Sequence, residues 1–202
     1  LKRAFLGGLV SSGVDTVDIR MSSMPVLQGA MNSGKDVAGV YFKQYPMDPN
    51  QTEIQFLDSE GLPLDPNTEK NIERLFYREN FRRVPHDEIG NIIERPQITD
   101  SYCKHFLESF DRKVMNNPKQ PHVVVDLLNG TTDEVFPHIL NMLGIDSVVL
   151  NSYQNEHKLA RTMSIMEQNV ATLSTIVTTL KSDLGVFISP HAERLYVTTD
   201  TG

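Results

Sequence analysis

The sequence predicts an α/β fold with mostly parallel sheets, organised as two domains. Helix and strand patterns alternate along all 202 residues, which is typical of parallel sheets. Residues 122–127 form a valine-rich run, which predicts a strand in a sheet that is covered on both faces. Residues 82–96 are polar and bounded by prolines, and this stretch predicts a connection between domains. We therefore expect one domain over residues 1–97 and a second over residues 98–202.

The first domain is expected to begin with a helix over residues 2–12, because Gly13 can end it. Asp65, followed by Pro66, is predicted to cap a helix that extends to about residue 80, with Ile72, Leu75 and Phe76 on one face. Between these two helices we predict a strand over 14–19, a helix from about residue 25, and strands over 37–42 and 54–57.

The second domain repeats the alternation. A helix is predicted from about residue 99 to 115, followed by the valine-rich strand and the Asn129-Gly130 turn. The remaining predicted elements are helices over 131–143 and 162–181 and strands over 147–150, 184–188 and 195–199. The core of the second domain is therefore expected to lie around residues 122–127.

Composition excludes some functions. The net charge of −7 and the pI of about 5.3 argue against a general nucleic-acid binder, which needs a basic face. No apolar run has the length of a membrane span, so no membrane partner is expected. Cys103 is the single cysteine, which excludes an intrachain disulfide and fits a cytoplasmic location. The chain starts without Met inside a predicted helix, so we expect it to be part of a longer protein.

Several segments, in order over nearly the whole chain, resemble those of one enzyme family. They are residues 3–15 (RAFLGGLVSSGVD), 38–40 (AGV), 56–61 (FLDSEG), 123–126 (VVVD), 129–130 (NG) and 183–186 (DLGV). Together they are similar to the first two domains of the α-D-phosphohexomutases, the phosphoglucomutase/phosphomannomutase superfamily. The resemblance implies two consecutive three-layer α/β/α domains with mixed, mostly parallel sheets, without the first strand of the family. It also implies further domains of the same chain as partners and allows a homo-oligomer.

The resemblance assigns a phosphoryl carrier to a position that holds an unsuitable residue. The family carries the phosphoryl group on the serine of a Thr-Ala-Ser-His-Asn-Pro run, which corresponds to residues 43–48, and the serine position holds Tyr45. A tyrosine hydroxyl lies several ångströms further from the backbone, and such chemistry depends on placement. We therefore expect no catalytic residue in this region.

The metal loop of the family also differs. The family holds Mg²⁺ with three aspartates of an Asp-Gly-Asp-Ala-Asp-Arg loop, and the three ligand positions hold Ser189, His191 and Glu193. One carboxylate is a poor site for a hard ion, so neither metal nor another cofactor is expected here; a softer metal is the alternative. Arg194 matches the family arginine that faces the phosphoserine, and is a candidate phosphate-binding residue. The alternative for Arg194 is an ion pair with Glu193 or Asp183.

Three functional hypotheses remain. The first is a non-catalytic region for scaffolding, oligomerisation or sugar-phosphate sensing within a longer sugar nucleotidyltransferase. Degenerate motifs of this kind resemble mutase-like regions of mannose-1-phosphate guanylyltransferase-like proteins. The absence of the family's second-domain asparagine-proline landmark, where residues 156–161 stand, favours this hypothesis. The second is an active phosphohexomutase with an unconventional site. The third is an unrelated α/β domain, which the ordered matches disfavour.

Overall fold

The computed structural model describes residues 1–32, 36–45, 48, 50–79, 81–95, 97–110, 120–158 and 163–201. It shows a mixed α/β protein with mostly parallel sheets, which confirms the predicted fold class. Contacts divide the chain into two compact units. The first contains Leu1–Arg20, Leu27–Phe42 and Ile54–Ile98, and the second contains Met21–Val26, Lys43–Glu53 and Thr99–Gly202. Two short segments from the first half of the chain thus belong to the second unit, and the boundary at residue 97 stays a prediction.

The first unit begins with helix α1 (Lys2–Ser11) and strand β1 (Thr16–Asp18). Gly13 has a φ of 83° and donates its N–H to the Val10 carbonyl at 3.0 Å, as expected for the glycine that ends a helix. Strand β1 is shorter than the predicted span of 14–19. It pairs in parallel with strand β4 (Ile92–Glu94).

Strand β4 corrects the interpretation of residues 82–96 as a connection. Ile92 lies opposite Thr16, so this stretch contributes to the first unit instead of only leaving it. The Arg95 guanidinium lies 3.1 Å from each carboxylate oxygen of Asp36 and fixes the chain just after the strand. The prediction missed the strand because only two β-branched residues stand among polar neighbours.

Helix α2 (Met24–Met31), strands β2 (Gly39–Gln44) and β3 (Thr52–Leu57) and helix α3 (Pro66–Tyr77) follow β1 along the chain. The predicted cap is confirmed, because Asp65 Oδ1 accepts the N–H of Asn67 at 2.9 Å and of Thr68 at 3.2 Å. The predicted apolar face of α3 is not buried: Leu75 is 54% and Phe76 66% exposed.

The second unit is built on a four-stranded sheet in the order β6-β5-β7-β8. Its strands are β5 (His122–Asp126), β6 (Asp146–Leu150), β7 (Leu184–Ile188) and β8 (Leu195–Thr199). β5 pairs in parallel with β6 and β7, and β8 is an antiparallel edge strand. Strand β2 belongs to a different sheet, which agrees with the expectation that the two halves of the chain have separate sheets.

Helices cover both faces of this sheet, which makes the second unit three-layered. Val123 and Val125 point to one face, where Leu140 of helix α5 (Phe136–Met142) packs. Val124 points to the other face, where helix α6 (Met163–Leu180) supplies Leu173. The valine-rich run is therefore buried on both sides, as predicted.

Two helix boundaries differ from prediction. Helix α4 (Ile98–Glu108) ends before residue 115, and residues 111–119 lie outside the described chain. Helix α5 starts at Phe136 instead of residue 131, because Thr131 bonds to another loop and turns fill the interval. In the described part of the chain, no helix is both long and apolar enough to cross a membrane.

Candidate functional site

Loops at the carboxyl ends of β5, β6 and β7 meet at one edge of the second unit's sheet. Ligands of open α/β sheets bind at this edge. Asp126 Oδ1 accepts the backbone N–H of Leu128 and the side-chain amide of Asn151, each at 2.9 Å. Asn129, 1% exposed and with a φ of 58°, donates its side-chain amide to the Tyr153 carbonyl at 3.1 Å. These bonds fix the loops that follow β5 and β6.

The loop over residues 189–194, which we call the 189–194 loop, is closed by its own hydrogen bonds. The Ser189 hydroxyl oxygen accepts the backbone N–H of Glu193 at 3.2 Å and of Arg194 at 2.9 Å. The Ser189 N–H donates to the Arg194 carbonyl at 2.9 Å, and Ala192 adopts a φ of 61°. The lone pairs of Ser189 are therefore committed to holding the turn.

The 189–194 loop is seated on the turn after β5. Thr131 donates to the Pro190 carbonyl through its N–H at 2.8 Å and its hydroxyl at 3.1 Å. A Cβ at Gly130 would lie 2.5 Å from Pro190 Cα, so only glycine allows this approach. The Asn129-Gly130 turn thus positions the loop that the sequence singled out.

A buried lysine joins the loop within the second unit. Side chains of β2 alternate in burial, and Lys43 lies on the buried side with 9% exposure. Its Nζ donates a hydrogen bond to Glu193 Oε1 and lies 3.3 Å from Glu53 Oε1. Burial alone would lower the pKa of Lys43, but the hydrogen bonds and charges of Glu193 and Glu53 outweigh it and the pKa is raised. Lys43 is therefore a fixed cation.

His191 lies buried in the same loop at 5% exposure. Within the described chain, neither ring nitrogen makes a hydrogen bond of good geometry, although a backbone group of Gln44 interacts weakly with the ring. Burial lowers the pKa of His191, and the opposing charges of Glu193 and Glu53 do not offset this. The ring is therefore neutral near pH 7.

This burial predicts a loss of stability in mild acid. Below the ordinary histidine value of about 6.5, the unfolded chain takes up a proton at His191 that the folded chain does not bind. Stability contributed by the neutral ring is therefore present above that pH and lost as the pH falls. We expect His191→Gln to flatten the dependence of the unfolding temperature on pH between about 7.5 and 5.5. His138→Gln, an exposed control on α5, should keep the wild-type slope; equal slopes in all three proteins would contradict the prediction.

Tyr45 and Arg194 stand apart from the lysine contacts. Tyr45 is 42% exposed at the end of β2, and in the described residues its side chain makes no hydrogen bond. The Arg194 side chain is exposed, and no ion pair to it occurs in the described ranges. Its two suggested partners are engaged elsewhere, since Glu193 binds Lys43 and Asp183 Oδ2 accepts the His122 N–H at 2.8 Å. Ser189, His191 and Glu193 thus lie in one loop with Arg194, whose side chain has no ion-pair partner among the described residues.

Sequence reasoning missed Lys43 and Glu53 as site residues. The available signal was the alternation of β2, which puts Lys43 on the same side as Gly39 and Tyr41. A lysine on the buried side of a strand requires a counter-charge. Its position therefore indicates a nearby carboxylate, although not which one.

Family models match most of the chain. The model for "Phosphoglucomutase/phosphomannomutase, alpha/beta/alpha domain I" matches residues 1–83, and that for domain II matches residues 100–202, half of the chain. The chain belongs to the phosphoglucomutase/phosphomannomutase family. Among curated family proteins, it is 29% identical to a phosphoglucomutase/phosphomannomutase of Thermococcus kodakarensis and 30% identical to a probable phosphoglucosamine mutase of Thermococcus gammatolerans. Both matches cover all of this chain but 44% and 43% of those proteins.

Solved structures of the phosphoglucomutase/phosphomannomutase family have the same fold. A family protein from Burkholderia thailandensis matches the whole chain with a TM-score of 0.80 at 16% identity, over 43% of its own length. A putative phosphomannomutase from Thermus thermophilus matches 98% of the chain, and 46% of its own, with a TM-score of 0.76 at 16% identity. The resemblance inferred from the sequence is therefore confirmed for family and fold.

The Mg²⁺ ion that the family implies does not fit these residues. Glu193 is the single carboxylate among the three ligand positions, and the Lys43 ammonium already binds it. The Ser189 oxygen accepts two backbone N–H groups. In the described part of the chain, no three or more His, Cys, Asp or Glu side chains group so as to hold a metal ion. Mg²⁺ prefers several oxygen ligands, and this loop does not offer them.

Proposed function

We propose that this chain is a non-catalytic part of a phosphoglucomutase/phosphomannomutase family protein, with a role as a scaffold, an oligomerisation region or a sugar-phosphate sensor. One observation carries the proposal: the Lys43 ammonium binds Glu193, the single carboxylate at the family's ligand positions. Lys43 itself stands two residues before Tyr45, in the stretch that corresponds to the family's serine run.

Two large contributions to catalysis are absent from such a site. Placement of a nucleophile can lower a barrier by about 7–11 kcal/mol, and Tyr45 cannot take the place of a serine. A metal ion can add several more by stabilising charge on the phosphoryl group. Because about 1.4 kcal/mol changes a rate tenfold, losing both leaves no enzymatic turnover.

A binding role is compatible with what remains. The exposed Arg194 is the last residue of the 189–194 loop, and a guanidinium can bind phosphate through two parallel hydrogen bonds. Because the chain spans less than half the length of the relatives compared above, the rest of the protein is part of the proposal. We propose a cytoplasmic sugar nucleotidyltransferase in which this region acts as a scaffold, an oligomerisation region or a sugar-phosphate sensor.

The proposal predicts no mutase activity. Conversion of glucose 1-phosphate to glucose 6-phosphate is measured in a coupled assay of the full-length protein, with glucose 1,6-bisphosphate and Mg²⁺ present. We expect no turnover in the wild type, in Tyr45→Phe or in the exposed control Tyr153→Phe. Activity that Tyr45→Phe abolishes and Tyr153→Phe retains would instead establish an active phosphohexomutase with Tyr45 as the phosphoryl carrier.

A measurement of sugar-phosphate binding distinguishes a sensor from a scaffold. Calorimetric titration with glucose 6-phosphate is carried out on the same wild-type protein and on Arg194→Gln. Binding that the substitution weakens at least tenfold supports a sensor. A wild-type protein that binds no sugar phosphate restricts the region to a scaffold or an oligomerisation role.

A further inference from the structure

We propose that the Lys43 ammonium is a built-in cation that occupies the place of a divalent metal and closes the 189–194 loop to metal ions. The inference concerns cation binding and stability, not turnover. It rests on the same Lys43–Glu193 contact as the proposed function but is tested without a turnover assay, so the two proposals can fail separately.

One ammonium serves two carboxylates in this cluster. Lys43 Nζ contacts Glu193 of the 189–194 loop and Glu53 of β3, all within the second unit. An ammonium has three N–H donors and no acceptor, so it bridges carboxylates much as a metal ion would. Glu53 and Glu193 keep 43% and 37% side-chain exposure, whereas Lys43 has 9%. The cation is therefore the buried centre, and the carboxylates surround it from the solvent side.

The same geometry excludes a second cation. A divalent ion at Glu193 would lie close to the Lys43 ammonium and be repelled by it in a poorly solvated setting. Displacing Lys43 instead would leave its charge buried without partners, which is costly. Lysine and metal are consequently alternatives at this position.

The loop does not need an ion to keep its shape. Ser189 closes it through its hydroxyl, and the Ala192 N–H donates to the Ser189 carbonyl at 2.8 Å. The remaining requirement is a positive charge to neutralise Glu193 and Glu53, and Lys43 supplies it. Removing that charge while keeping the side-chain length should therefore create a cation site.

The test compares thermal unfolding of the wild type, Lys43→Met and the exposed control Lys70→Met in EDTA and in millimolar Mn²⁺. We expect the wild type and Lys70→Met to unfold at the same temperature in both buffers. Lys43→Met should unfold about 5–10 °C lower in EDTA, because two carboxylates lose their counter-charge. Mn²⁺ should restore part of this loss and bind in calorimetry, since a ligand of the folded state stabilises it. In the double variant Lys43→Met/Glu193→Gln, Mn²⁺ should neither raise the unfolding temperature nor bind in calorimetry.

Three results would overturn the inference. They are saturable Mn²⁺ or Mg²⁺ binding to the wild type that Glu193→Gln abolishes, wild-type stability of Lys43→Met in EDTA, and a folded Lys43→Met that binds no Mn²⁺. If Lys43→Met does not fold, the triple variant Lys43→Met/Glu53→Gln/Glu193→Gln replaces it. We expect the triple variant to fold and to bind no Mn²⁺, because no uncompensated charge remains. Failure of the triple variant to fold would show that Lys43 acts through packing and would refute the role as a cation.

Discussion

Phe187→Ala is expected to lower the free energy of unfolding by about 3–5 kcal/mol, because it removes a large side chain from a closed core. Phe187 is 1% exposed on β7. Its ring stacks on Tyr196 with centroids 4.8 Å apart, and it packs in the same cluster as Val124 and Leu173. Urea unfolding should show a lower midpoint with an unchanged slope.

Phe76→Ala is the matched control for this truncation. Phe76 is 66% exposed on α3, so removing it should change the free energy of unfolding by no more than about 0.5 kcal/mol. Similar losses of unfolding free energy in Phe187→Ala and Phe76→Ala would show that the burial of Phe187 does not determine the size of the loss.

Gly130→Ala is expected to cost about 2–3 kcal/mol and to loosen the 189–194 loop. The added methyl would lie 2.5 Å from both the Cα and the carbonyl oxygen of Pro190. These are backbone atoms, so the clash cannot be relieved by rotating a side chain. Moving Pro190 away would break its two hydrogen bonds with Thr131. Chemical denaturation measures the loss in the free energy of unfolding. Faster amide hydrogen exchange at Thr131 would report the weakened contact with Pro190.

Gly7→Ala provides the opposite control. Gly7 lies inside α1 with open space where a Cβ would be added. Alanine favours helix, so stability should stay constant or rise by up to about 1 kcal/mol. A loss at Gly7 as large as at Gly130 would contradict the steric explanation.

The second unit was largely predictable because its sheet carries a strong local pattern. Consecutive valines identify a strand that is buried on both faces, and β5 proves to be such a strand. Strand β4 was not predictable in the same way. It has three residues, all exposed, and exists only because β1, more than seventy residues earlier, pairs with it. The two-residue alternation that identifies a strand cannot be recognised over only three residues.

The candidate site was predictable only where its residues are neighbours in sequence. Ser189, His191 and Glu193 were placed in one loop, and the structure confirms that loop. The partner of Glu193 is Lys43, which lies 150 positions away in the sequence. No local sequence pattern predicts a contact over that distance. The burial of His191 was missed for a similar reason, because the covering residues come from tertiary structure.

The span of the Lys43–Glu193 contact also has a kinetic consequence. The two residues are 150 positions apart, so the chain must close a long loop before the contact forms. Closure entropy grows only with the logarithm of loop length, but it must be lost before any energy of the contact is gained. We therefore expect this ion pair to form after the folding transition state. An interaction absent from that state slows unfolding and leaves the folding rate nearly unchanged, so Lys43 prolongs the lifetime of the folded chain without helping it to fold.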